Sequence, residues 1–147
     1  AFMHRFGLSW RLPDLPHKWR ERLKAHLALY ARDVVPFVRN GDMYRLTPPP
    51  SRKGGGEAQP RFQLTHGDRP LLLGFSLGPH AENLGIRPAD GGYTIRPRNL
   101  DPTRRYRLTE LSPEGEVPSL VRTGHEWMAQ GLPLIRTSSY AGILEPA

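Results

Sequence analysis

From Phe6 the chain alternates apolar and polar residues. Phe6, Leu8, Trp10 and Leu12 fall on one side of "RFGLSWRL" (5–12), a period of two that predicts a short strand. "PDLP" closes it, and Pro16 suits the first turn of a helix, with Asp14 nearby as a cap. Over 17–38, "HKWRERLKAHLALYARDVVPFV", the spacing becomes three and four. Trp19, Leu23, Leu27, Tyr30, Ala31, Val34 and Val38 share one face, while Lys18, Arg20, Glu21, Arg22, Lys24, Arg32 and Asp33 cover the other. The prediction is one long amphipathic helix whose broad apolar face requires a large surface to pack on. Pro36 lacks a backbone donor, so the helix should kink or end close to it, and "RNGD" (39–42) reads as a turn.

After Gly41 the period returns to two and turn signals recur about every ten residues. "MYRLT" (43–47) reads as a strand, and "PPPSRKGGGEAQP" (48–60) as a flexible loop. "RFQLTHGDRPLLLGFSLG" (61–78) reads as a hairpin turning at "HGDRP". Further strands are predicted at 92–97, 105–111, 117–122 and 140–145, with "RNLDPTR" and "SPEGE" as connections. Many short strands separated by turns imply a mainly β protein, an antiparallel sandwich or barrel of Greek-key type, preceded by one strand and one long helix. A natural division places 1–41 in one unit and 42–147 in the β-domain.

Composition agrees: 147 residues with 16 prolines and 15 glycines make a loop-rich globular chain. There is no cysteine, which excludes disulfides and thiolate metal sites. No run of about 18 apolar residues exists, so no membrane helix is expected. "AFMHRFGLSW" lacks the apolar core of a signal peptide, and the expectation is a cytoplasmic protein that is part of a longer chain. The net charge of +7 raises nucleic-acid binding, but the excess is local. Residues 1–60 hold 11 basic and 5 acidic residues, residues 61–147 hold 10 and 9, and a solvated helix face accounts for the excess as well.

Candidate chemistry is sparse. "RTGHEWMAQGLPL" (122–134) sets His125 beside Glu126, an acid/base pair or half of a metal site, or two residues of a strand or turn with no chemistry. It is not an HExxH motif, because Trp127, Met128 and Ala129 follow, and no two of His4, His17, His26, His66, His80 and His125 stand four apart on a helix. None of Ser9, Ser51, Ser76, Ser112, Ser119, Ser138 and Ser139 lies in a nucleophile elbow. "RKGGGE" (52–57) lacks the context of a phosphate loop. Asp68, Asp90, Asp101 and Glu114 sit beside Gly or Pro, where they make turns, so a glycosidase-type carboxylate pair is disfavoured. Trp10, Trp19 and Trp127 could stack on sugar rings. Trp10 and Trp19 fit the apolar faces of their elements and are assigned to the core. The expected catalytic, metal and cofactor residues are therefore none.

The order of elements resembles the end of a known family. "FGLSWRLPDLP" followed by "WRERLKAHLALYARDVVPFVRNGDMYRL" is similar to the last βα unit of the catalytic barrel in family 36 glycoside hydrolases, the α-galactosidases. The matching residues are Gly7, Leu8, Tyr30, Ala31, Pro36, Gly41, Asp42, Tyr44, Arg45 and Leu46. "TGHEWMAQGLPL" resembles a stretch near that family's C-terminus through Thr123, Gly124, Glu126, Met128, Gly131 and Leu132, and "RNLDPTRRYRL" and "SSYAGILE" resemble its turn and closing strand. The resemblance implies a structural Glu126 in a strand-turn segment. It also implies that the nucleophile and acid/base aspartates lie on earlier barrel strands, which this chain does not contain. The expected function is the non-catalytic C-terminal part of an α-galactosidase, a retaining hydrolase of terminal α-linked galactose, supporting the barrel. The expected partners are the remaining barrel and, for the parent, galactosides. An open helix face would favour a homo-oligomer, and no membrane or nucleic acid is expected. The alternative is a stand-alone sugar-binding or protein-interaction β-domain.

Overall fold

A computed structural model describes residues 11–48, 60–75, 93–111, 120–134 and 140–147. The chain is mainly β, an antiparallel sandwich-like fold carrying one long helix. Of the strand expected over 5–12, residues 5–10 lie outside the described residues, and Leu12–Asp14 forms a 3-10 turn instead. The hydrogen-bonded turn of the proline-rich segment leads into helix α1, His17–Leu29. It continues through a π-helical turn, Tyr30–Val34, into α2, Val35–Asn40. The helix thus passes through Pro36 instead of ending there. Pro36 stands at the second position of α2, just after the π turn, where Val35 N–H donates to Tyr30 O. The extra residue in that turn interrupts the regular ladder just where a proline would clash with it.

Among the described residues eight strands follow. β1 (Asp42–Arg45), β2 (Arg61–His66), β3 (Arg69–Gly74), β5 (Arg105–Glu110), β6 (Leu120–Thr123) and β8 (Tyr140–Pro146) form one antiparallel sheet in the order β1-β2-β3-β8-β5-β6. β4 (Tyr93–Ile95) and β7 (Leu132–Leu134) form a second, two-stranded sheet. The last strand in sequence runs between β3 and β5, the long-range return of a Greek-key sandwich. β2 and β3 turn at Gly67 and Asp68, with Gly67 at φ +63°, where glycine is strain-free. β7 and helix α3 (Gly124–Gln130) are elements the sequence pattern did not predict. Of the loop expected over 48–60, residues 49–59 lie outside the described residues.

The central strands of the large sheet, β2, β3 and β8, are buried on both faces, whereas β1 is exposed along its length, and alternation assigns each buried residue to one face. Phe62 and Leu64 of β2, Leu71 and Leu73 of β3, and Ala141 and Ile143 of β8 pack with Leu29, Val34 and Phe37 of the helix. Leu72, Tyr106, Leu108 and Leu144 face the other way and pack with Ile95 of β4, Leu100 and Trp127 of α3. The register places like with like: Phe62 opposite Leu73, Leu71 opposite Ile143, Leu108 opposite Leu144. The broad apolar face of the helix, expected to need a large partner surface, is buried here only in its C-terminal half. Trp19 is 53% exposed and Leu27 41%, so Trp19 is not a core residue. The apolar surface offered by the sheet ends where α1 rises past it.

Candidate functional site

His125 and Glu126 belong to the first turn of α3, not to a strand-turn segment. Thr123 is the N-cap: its Oγ1 accepts from Glu126 N–H at 3.2 Å, and Glu126 Oε2 accepts from Thr123 N–H at 2.8 Å. This reciprocal capping box satisfies donors that a helix start otherwise leaves open. The bonds from Thr123 hold the Glu126 carboxyl below the usual carboxylate range. His125 is exposed. Glu126 is therefore a structural residue, as the resemblance implied, although in a helix.

The same junction explains neighbouring residues. Gly124 N–H donates to Arg104 O and His125 N–H to Pro102 O, docking the helix start on the turn at 101–104. A Cβ at Gly124 would lie 2.1 Å from Asp101 O, so only glycine fits. Asp101 Oδ1 accepts from Thr103 N–H and Oγ1–H, which lowers the Asp101 pKa. Tyr106 Oη accepts from Asp101 N–H at 3.2 Å. Trp127, completely buried, donates Nε1–H to Tyr106 O at 3.1 Å and lies under the Arg122 guanidinium. It is core, not a sugar-stacking platform.

The other sequence candidates are placed as follows. Asp68 and Asp101 do line one cavity of about 260 Å³, together with Arg98, Arg104 and Tyr106. Asp68 is paired with Arg104 at 2.7 Å, and the bonds from Thr103 shift the Asp101 pKa down, opposite to the raised pKa of a glycosidase general acid. Asp90 and Glu114, the seven serines named above, His4, His80, Trp10 and the glycine-rich run at 52–57 lie outside the described residues. His26 Nδ1 lies 2.7 Å from Arg22 O, and His66 packs edge-on against Phe37. Among the described residues no group of three His, Asp or Glu side chains could hold a metal, and no helix is long and apolar enough to cross a membrane.

A second cleft, of about 530 Å³, is one that the sequence reading did not single out. It lies beside the segment that leads out of β4. Along 94–98 the chain alternates: Ile95 and Pro97 are buried, while Thr94, Arg96 and Arg98 face outward and line the cleft. Arg61 stands across it and donates from a terminal guanidinium nitrogen to Thr94 O at 2.7 Å. Leu46, Pro97 and Met128 add apolar wall. The signal was present in "TIRPR", an alternation with arginine at two of its three outward positions. No family model matches this chain. No curated protein matches it either.

Proposed function

We propose that this chain is the non-catalytic C-terminal part of an α-galactosidase of glycoside hydrolase family 36. In the parent, barrel aspartates elsewhere would carry out retaining hydrolysis of terminal α-linked galactose, and the β-domain would brace the barrel. The observation that carries the reading is the work done by the residues on which the resemblance rests. Gly41 and Gly124 sit where a Cβ would meet backbone oxygens at 2.5 and 2.1 Å, Glu126 closes a capping box, and Gly131 takes φ +69°. Leu46, Met128 and Leu132 pack on the second core. The exposed Trp19 and Leu27, with half-buried Leu23 between them on one helix face, add an apolar stripe of the kind a neighbouring barrel would cover.

The test is to assay the purified chain with an aryl α-galactoside and to titrate it with galactose. The reading expects no hydrolysis and a flat titration. Turnover by the chain alone would overturn it, and saturable galactose binding would favour the stand-alone sugar-binding domain instead.

A further inference from the structure

The arginine-lined cleft is independent of any galactoside chemistry. Among the described residues its charge is one-sided: Arg61, Arg96 and Arg98 line it, and no described carboxylate does. The ion pairs of the described residues use Arg11, Lys24, Arg32, Arg69 and Arg104, so neither Arg96 nor Arg98 has a carboxylate partner among the described residues. Like charges gathered around one concavity repel one another, and a bound anion would relieve that repulsion.

The backbone that presents these arginines is fixed. Gln63, at 1% exposure, spends its amide on the chain opposite: Oε1 accepts from Arg98 N–H at 2.8 Å, and Nε2 donates to Arg98 O at 2.9 Å and to Thr65 Oγ1 at 3.0 Å. A buried amide is tolerated only when its bonds are made, and here they pin Arg98 to β2. Arg96 Nε–H donates to Ala129 O at 3.3 Å, which ties its stem to the end of α3. Asn99, at φ +58°, turns the chain out of the cleft. The acidic residues nearby, Asp68 and Asp101, line the adjoining cavity on the other side of Arg98 and Asn99.

We propose that this cleft binds a small phosphate ester. Guanidinium groups from β2 and from the segment after β4 suit a tetrahedral oxyanion, with Thr94 and Asn99 as neutral polar partners. At about 530 Å³ the cleft lies within the range of small-molecule sites, about 300–1,000 Å³, and is far larger than a lone phosphate group. Leu46, Pro97 and Met128 offer apolar wall for the organic part of the ester. Among the described residues no aromatic ring lines the cleft, unlike a sugar-stacking site.

Calorimetric titration of the full chain with inorganic phosphate and with glycerol phosphate, at constant ionic strength, tests this. The expected result is saturable binding, tighter for the ester, and weakened about tenfold by Arg96→Ala or Arg98→Ala. Tenfold corresponds to the roughly 1.4 kcal/mol of one charge-assisted hydrogen bond. Both side chains are exposed, so the variants keep the fold. Arg20→Ala, on α1 and outside the cleft, should leave binding unchanged. The proposal is overturned if neither probe saturates, if Arg20→Ala weakens binding as much as the cleft variants, or if a poly-glutamate peptide binds the cleft and the phosphates do not.

Discussion

At the residue scale the fold rests on a few positions where one atom decides the outcome. Gly124 is the sharpest, because the added methyl would meet backbone at Asp101, which cannot swing aside. Gly124→Ala is expected to cost about 3 kcal/mol, at the upper end for overpacking, read as a lower urea midpoint with an unchanged slope. A loss under about 0.5 kcal/mol would mean the junction is not packed as described. Tyr140 is the opposite case. Its Oη is buried without a hydrogen-bond partner among the described residues, and its ring covers Gly142, where a Cβ would lie 2.4 Å from the hydroxyl. Burial, followed by the Glu110 charge, pushes the phenol pKa up. Tyr140→Phe removes the orphaned group and keeps the ring, so stability should hold or rise by about 1 kcal/mol in the same assay. A clear loss would reveal a partner for the hydroxyl.

At the scale of elements, the long helix has two halves with different roles. Phe37 is buried between β2 and β3, with His66 edge-on and the Arg69 guanidinium over its ring. Trp19 meets no such surface. Phe37→Ala should cost about 3–5 kcal/mol, whereas Trp19→Ala should change the stability of the chain by less than about 0.5 kcal/mol. Equal losses on thermal unfolding would contradict the division. The sequence made the helix legible because apolar spacing of three and four is a strong signal over six turns. It could not show which half meets the sheet, since periodicity reports a face and not its partner. Hairpin β2–β3 was legible from "HGDRP" between apolar runs. α3 was not, because seven residues give too little period and Gly124 and Gly131 read as turns. Thr123 followed by Glu126 was the signature that marked its start. The cleft stayed hidden for a related reason: Arg61 and Arg96 are far apart in sequence, and only the fold brings β2 beside the segment after β4.

At the scale of the whole molecule, one junction contributes a pH-dependent part of the stability. Asp101 and Glu126 both have folded pKa values depressed by hydrogen bonds from Thr103 and Thr123. The unfolded chain therefore binds more protons than the folded one in acid. The stabilisation is complete above the ordinary carboxylate range, near pH 4 to 5, and is lost as pH falls through the lower folded values. The urea midpoint should drop below about pH 4, and less steeply in Glu126→Gln, which keeps a capping side chain but cannot titrate. Identical slopes in the two proteins would remove Glu126 from the account.

Described residues of the resemblance shape the helix, the sheet and the start of α3, the outer half of α1 leaves an apolar stripe open, and Asp101 and Glu126 are tied into a turn and a capping box. The most direct test of the central claim is to read the coding sequence upstream of Ala1. The account predicts an open frame running on through several hundred residues of alternating strands and helices, with aspartates at two strand ends. A frame that opens at or near Met3, with no barrel before it, would contradict it.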